Sequence, residues 1–319
     1  MQKLLITRYL PERVAAAARE RFDVTQREST APLPEDEAVA ALADYDAILC
    51  TIGDAFGAAT FAQAGAAPRC RVLANFGVGT NHIDIAAAKA AGLAVSNTPG
   101  AVTEATADIA LMLVLMVARR AGEGERLVRA GRWEGWHPVQ LLGTHVSGKR
   151  LGIVGMGRIG RAIARRCHFG LGMEVVFHNR SAVADPGVPA RQLGSLAEVM
   201  AAADFVVVAV PGGAETRHLI DATALAAMQS GAFLVNISRG DVIDETALVA
   251  ALRAGGIAGA GLDVYEREPL VPDALRTMEN VVLLPHMGTA ALAVREDMGF
   301  MALANLDAFA ASQPLPNAL

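Results

Sequence analysis

Apolar residues fall in two alternating rhythms along this chain. Short, nearly continuous apolar runs read as buried strands: Leu4–Thr7, Ala47–Thr51 and Val72–Asn75 in the N-terminal part. A strand covered on both faces needs apolar side chains at almost every position. Between these runs, Pro11–Phe22, Glu35–Ala43 and Ile85–Ala91 carry apolar residues at helical spacing. Proline suits the first turn of a helix, as at Pro11. Ser29–Pro34 reads as a surface connection. Strand and helix in strict alternation predict a parallel sheet with helices on its faces.

The turn cluster Asn97-Thr98-Pro99-Gly100 interrupts the pattern and marks a domain boundary. Thr103–Arg120 then predicts a long apolar helix with basic residues at its C-terminal end, where the helix dipole favours them. A stretch containing glycine and tryptophan, Gly131 to Pro138, leads into a second alternating series. Its strands are Leu151–Val154, Glu174–His178, Phe205–Ala209, Ala232–Asn236, Ile257–Leu262 and Val281–Leu284. Asp244 is placed to cap a helix. Ala290–Ala311 closes the chain as another long helix, followed by a proline-containing tail. The expected fold class is α/β, with two doubly wound parallel-sheet domains and a ligand cleft between them.

The chemistry begins at Gly155-Met-Gly157-Arg158-Ile159-Gly160, between the strand at Leu151 and a helical pattern. A dinucleotide site requires this order of strand, glycine turn and helix. Gly155 permits the turn, Gly157 lets the backbone approach a pyrophosphate, and Gly160 lets helix and strand pack closely. The helix N-terminus offers N–H groups to the phosphates. An NAD site ends its next strand with a carboxylate that holds the ribose hydroxyls. Here Asn179-Arg180-Ser181 stand there instead. Asn179 removes a charge that would repel a 2′-phosphate. Arg180 and Ser181 can bond to one. The expected cofactor is therefore NADP, with NADPH preferred and NAD possible.

Composition narrows the function classes. The 319 residues are enough for two domains, with 53% hydrophobic and 19% charged residues and a formal charge of −5. That balance does not suggest nucleic-acid binding. The longest apolar run, Ile109–Ala118, is too short to span a bilayer, so no membrane association is expected. Cys50, Cys70 and Cys167 have neither metal-ligand spacing nor an even count, and no metal is expected. With a short strand rather than a signal peptide near the N-terminus, the natural expectation is a reduced, cytoplasmic protein.

Polar residues appear where three late strands should end: Asn236 to Gly240, Asp263 to Pro269, and Pro285 to Gly288. An arginine, a carboxylate and a histidine can converge there. Hydride transfer to a carbonyl needs a proton on oxygen, which histidine can supply. A carboxylate can fix its ring, and arginine can hold a substrate carboxylate through two parallel bonds.

These motifs, together with Gly77-Val78-Gly79-Thr80-Asn81-His82-Ile83-Asp84, resemble the D-isomer-specific 2-hydroxyacid dehydrogenase family over nearly the whole chain. Within it the resemblance is greatest to the NADP-dependent glyoxylate/hydroxypyruvate reductases. The resemblance implies a Rossmann nucleotide-binding domain, residues 100–289, and a discontinuous flavodoxin-like substrate domain, residues 1–99 and 290–319. It implies reduction of a small 2-keto acid to a D-2-hydroxy acid. Arg239 would bind the substrate, Glu268 would pair with His286, and His286 would be the acid/base. Val78 and Gly79 would offer backbone N–H groups to the substrate carboxylate. Thr106, Val210, Pro211, Thr216, Ile237, Asp263 and Gly288 match cofactor-lining positions, beside Arg239 and His286. A homodimer is implied, with Trp136 reaching a neighbouring active site or packing at the interface. Two departures stand out: Gly212-Gly213 replaces the usual Leu-x after Pro211, and Cys167 to Gly172 is one residue longer than the commonest spacing. Competing readings of the same motifs are a dehydrogenase for another 2-keto acid using NADH, and a dinucleotide-sensing module without turnover.

Overall fold

The computed structural model describes residues 1–65 and 67–319, which divide into two compact units. Unit 1 comprises Met1–Val102 and Thr289–Leu319, and unit 2 comprises Thr103–Gly288. Unit 1 keeps the turn cluster at 97–100 because its backbone belongs there: Thr98 N–H donates to Gly77 O at 3.1 Å. The chain leaves the unit only where the helix Thr103–Ala118 begins.

Unit 1 is a five-stranded parallel sheet of β1 (Lys3–Ile6), β2 (Asp23–Gln26), β3 (Ala47–Thr51), β4 (Val72–Phe76) and β5 (Ala94–Ser96), in the order β2-β1-β3-β4-β5. Every residue of β3 and β4 is buried, Thr51 and Asn75 among them, as strands covered on both faces require. The strand order reverses between β1 and β3. At that point Asp54, fully buried, accepts hydrogen bonds from the Thr7 hydroxyl (2.6 Å) and from the N–H groups of Thr51 (2.7 Å) and Leu33 (2.8 Å). These bonds hold the loop after β3. The last helix, Leu292–Ala310, returns to this unit: the Gly299 position lies so close to Val14 that a Cβ would meet it at 2.5 Å.

Unit 2 is a seven-stranded parallel sheet of β6 (Arg150–Val154), β7 (Glu174–His178), β8 (Ala190–Gln192), β9 (Phe205–Val208), β10 (Phe233–Asn236), β11 (Gly259–Leu262) and β12 (Val281–Leu283). Its order, β12-β11-β10-β9-β6-β7-β8, reverses between β6 and β9, which makes the loop after β6 a topological switch point. One face is covered by the helices Thr103–Ala118 and Arg158–Leu171, whose buried side chains join those of β6, β7 and β10 in one core.

Several expected elements shift. The helix expected over Thr103–Arg120 stops at Ala118, because Arg120 adopts a left-handed conformation (φ 53°, ψ 35°) and starts a second helix, Ala121–Arg129. β11 begins at Gly259 rather than Ile257, since the preceding residues form a turn. The strands Asp23–Gln26, Ala94–Ser96 and Ala190–Gln192 were not expected. All three are short sheet edges, of three or four residues, and carry no extended apolar run. The longer segment after Cys167 is absorbed by the helix, which ends at Leu171 with Gly172 left-handed as its cap.

Candidate active site

The glycine turn after β6 has the geometry a dinucleotide needs. Gly155 has φ +100°, and a Cβ there would lie 2.8 Å from Ala209 O. At Gly160 a Cβ would lie 2.2 Å from Gly155 O, so only glycine lets this helix turn touch the loop. At Gly157 a Cβ would meet nothing within 4 Å, leaving an open cradle before the helix that begins at Arg158. Ile159 is half-buried beside that cradle, and Arg158 is exposed. The residues present therefore fit a pyrophosphate on free N–H groups.

At the end of β7, Asn179 Oδ1 accepts from Met156 N–H (3.2 Å), tying the glycine loop to its neighbour. Its amide nitrogen donates to Ser181 O (3.0 Å) and Ser181 Oγ (3.3 Å). Arg180 points outward and pairs with Glu215. After β9, Val210 and Pro211 lead into a closed turn in which the Thr216 hydroxyl bonds to Pro211 O (2.8 Å).

Three further strand ends carry Arg239, Glu268 and His286. After β10, Asn236 braces a tight turn. Its Oδ1 accepts from Ser238 N–H (3.0 Å) and Ser238 Oγ (2.8 Å), and its amide donates to Arg239 O (2.9 Å). Ile237 is buried in the core beneath. The turn presents Arg239, whose guanidinium burial holds below its ordinary value, against the charges of Glu268 and Asp241, which favour the charged form. Gly240 packs directly on the next loop: a Cβ would lie 1.8 Å from the Tyr265 carbonyl carbon.

After β11, Tyr265 N–H donates to Glu268 Oε1 at 3.1 Å, so the loop fixes its own carboxylate. After β12, His286 Nδ1 donates to Glu268 Oε2 at 2.8 Å. Burial pushes the Glu268 carboxyl up, but the His286 hydrogen bond and charge, the Tyr265 N–H and the Arg239 charge outweigh it and leave it below its ordinary value. A charged Glu268 holds the imidazole by Nδ1 and leaves Nε2 for a ligand. His286 itself has φ 51°, and its N–H donates to Asp263 O at 2.8 Å. Asp263 Oδ1 in turn accepts from Met287 N–H (2.7 Å). Burial raises the Asp263 carboxyl, against the N–H groups of Met287 and Gly288. Thr106 Oγ1 donates to Gly288 O (3.3 Å), joining the long helix to this loop. A cavity of about 280 Å³ flanks the pair, lined mainly by apolar groups of Tyr265, Pro269, Val271, Leu283, Leu284 and Pro285.

Unit 1 holds its own polar loop after β4. Asn75 Nδ2 donates to Gly77 O (2.9 Å) and Gly79 O (3.0 Å), and Asn97 Nδ2 donates to Val78 O (2.9 Å). Three successive carbonyls are thus taken up by two buried asparagines. Among the described residues the N–H groups of Val78 and Gly79 have no hydrogen-bond acceptor, which suits them to an anion.

The structure thus joins Glu268 to His286, sets Arg239 against Glu268, and groups Asp263, Thr106 and Gly288 behind them. Trp136 stands apart, on an irregular stretch with its side chain exposed. The sequence pattern places Asn97 in a turn cluster and Asn236 at a strand end but gives neither of them, nor Asn75, a bracing role. Among the described residues no cluster of His, Cys, Asp and Glu could hold a metal ion, and no helix is long and apolar enough to cross a membrane.

The family profile described as D-isomer specific 2-hydroxyacid dehydrogenase, NAD binding domain, matches residues 111–288. A glyoxylate reductase from Thermococcus onnurineus is 42% identical over 315 residues, covering 96% of this chain and 92% of its own. A glycerate dehydrogenase from Hyphomicrobium methylovorum is 36% identical over 310 residues, covering 96% and 95%. Among solved structures, an NADPH-dependent glyoxylate/hydroxypyruvate reductase from Sinorhizobium meliloti, in complex with NADP and malonate, superposes with a TM-score of 0.88 at 34% identity, covering 100% of this chain and 96% of that one.

Proposed function

The chain belongs to the D-isomer-specific 2-hydroxyacid dehydrogenase family, and from that premise we propose that it reduces glyoxylate, hydroxypyruvate or a similarly small 2-keto acid to the D-2-hydroxy acid with NADPH. The observation that carries the reading is the charged Glu268 holding His286 by Nδ1, with Arg239 presented beside it. A reduced nicotinamide, when bound, would supply a hydride for the carbonyl carbon. The chain's own residues do the rest. Arg239 holds the carboxylate and polarises the carbonyl oxygen with its planar fork. His286 gives that oxygen the proton from Nε2, and Glu268 stabilises the ring in each protonation state. The substrate carboxylate is assigned to the free amides of Val78 and Gly79. Asp263 and Gly288 are assigned to the nicotinamide end, with Thr106 behind them, and Val210, Pro211, Thr216 and Ile237 to the cofactor's flank.

The absence of a carboxylate at Asn179 supports the phosphorylated cofactor. Arg180 and the Ser181 hydroxyl are the donors for its 2′-phosphate. The test is kcat/KM for glyoxylate with NADPH and with NADH, in wild type and in Arg180→Ala. We expect NADPH to be preferred in wild type and the preference to fall in the variant. Equal or better efficiency with NADH in wild type overturns it. A panel of glyoxylate, hydroxypyruvate, pyruvate and phenylpyruvate fixes the substrate, and the smallest acids are expected to lead.

The reading extends to a homodimer in a reducing, cytoplasmic compartment. Val128, Trp133, Trp136, Val139 and Leu142 expose large apolar side chains along one stretch of unit 2, which supports a covered face. All three cysteines are free and buried. Light scattering on the purified chain tests the assembly, and a monomer at micromolar concentration counts against it.

A further inference from the structure

We infer that Glu215 is a specificity-determining residue that limits the preference for NADPH, by competing with the 2′-phosphate for Arg180. The inference rests on the reading that Arg180 takes that phosphate. The loop after β6 carries the glycine turn, and β6 lies between β7 and β9 in the sheet. Arg180 follows β7 and Glu215 follows β9, so their ion pair spans the two loops that flank the glycine turn.

Both residues stand on braced turns. The Arg180 turn is tied to the glycine loop through Asn179 and Met156, and to β8 through Gln192, whose amide donates to Asn179 O (3.3 Å) and Ser181 O (3.0 Å). The Glu215 turn is closed by Thr216, which bonds to Pro211 O and Gly213 O at 2.8 and 3.2 Å. Gly213 has φ +144°, a conformation that glycine tolerates and most residues do not. The Gly212-Gly213 departure therefore sits in the turn that aims Glu215.

A 2′-phosphate arriving at Arg180 must displace the Glu215 carboxylate and then lie beside it, anion against anion. A cofactor with a free 2′-hydroxyl meets neither cost, and Arg180 keeps its partner. The side chains are 87% and 79% exposed, so water screens the pair and the effect is moderate. It must also shrink as salt rises, because the charges interact through solvent.

The experiment is kcat/KM for glyoxylate with NADPH and NADH, in the purified wild type, Glu215→Gln and Arg180→Ala, at low and high salt. We expect Glu215→Gln to raise the NADPH/NADH ratio about two- to fivefold at low salt through a lower KM for NADPH, and by less at high salt. Arg180→Ala is expected to lower the ratio. A ratio that stays level or falls in Glu215→Gln, while Arg180→Ala lowers it, overturns the role of Glu215 and leaves the cofactor assignment standing. An unchanged ratio in Arg180→Ala overturns the assignment and the inference together.

Discussion

Unit 2 contains two histidine–glutamate pairs, and both glutamates come from the same short stretch, Glu266-Arg267-Glu268. Glu268 holds His286 at 2.8 Å, and Glu266 holds His218 at 3.1 Å. Both histidines adopt positive φ, 51° and 50°, and both donate their backbone N–H to the carbonyl of an aspartate, Asp263 and Asp241. The difference lies in the ring. His286 is held by Nδ1, next to its own backbone, so Nε2 at the far end stays free. His218 is held by Nε2, so its far end is spent on the protein. Glu268 has Arg239 as its charged neighbour, on a turn braced by Asn236, whereas Glu266 shares its carboxylate with Arg217 at 3.5 Å. Of the two pairs, the one held by Nδ1 leaves Nε2, at the far end of the ring, for a substrate. The second pair ties the loop after β9 to the loop after β11.

Substitutions at the two glutamates sharpen this contrast most strongly. Glu268→Gln is expected to lower kcat on the order of 10²-fold, since the imidazole loses the charge that orients and stabilises it. Glu266→Gln changes kcat by less than about fivefold, the scale of a partly exposed ion pair. Comparable losses in steady-state kinetics would erase the distinction. Arg239→Lys comes next. Replacing the fork by a point charge removes a charge-assisted bond, and kcat/KM falls roughly 10–100-fold on a small 2-keto acid. Unchanged kinetics would take Arg239 out of the substrate's contacts.

Gly240→Ala tests the backbone that aligns the Glu268–His286 pair. The new methyl must push the 265–266 peptide aside, which is expected to cost about 1–3 kcal/mol in a urea titration. Activity falls with it, because Tyr265 N–H positions Glu268. Wild-type stability would show that the two loops are not in register as described.

The smallest effect is on pH dependence. Glu268 lies below its ordinary value when folded, so it contributes stability above the unfolded value of about 4.3 and loses it as pH falls through the folded value. The thermal midpoints of wild type and Glu268→Gln should therefore differ above about pH 5 and converge as pH falls below about 4. A gap that widens on acidification would contradict the sign.

Much of the fold is legible in the apolar runs, because β3, β4 and β9 are buried along their whole length and read as such. The edge strands Asp23–Gln26 and Ala190–Gln192 are not, since a half-solvated edge needs no apolar run. The break at Arg120 is invisible because arginine is a good helix former, and nothing in its residue type signals the left-handed turn it adopts. Strand ends pointed to Arg239, Glu268 and His286. Nothing in the residue pattern told Glu266 from Glu268, which required the family resemblance. Asn75 and Asn236 bond to backbone groups of their own loops, Asn97 and Asp54 reach other loops, and a lone buried amide or carboxylate has no spacing to betray it.

His286, and not His218, is expected to supply the proton that completes hydride transfer. That expectation is tested most directly by giving wild type, His286→Ala and His218→Ala hydroxypyruvate with NADPH deuterated at the transferred position, and following deuterium into carbon 2 of the product. The account predicts that wild type and His218→Ala form the D-2-hydroxy acid carrying one deuterium at similar rates, while His286→Ala is slower by roughly 10²–10⁴-fold. A folded His286→Ala that keeps the wild-type rate, or a His218→Ala that loses it, would contradict the claim.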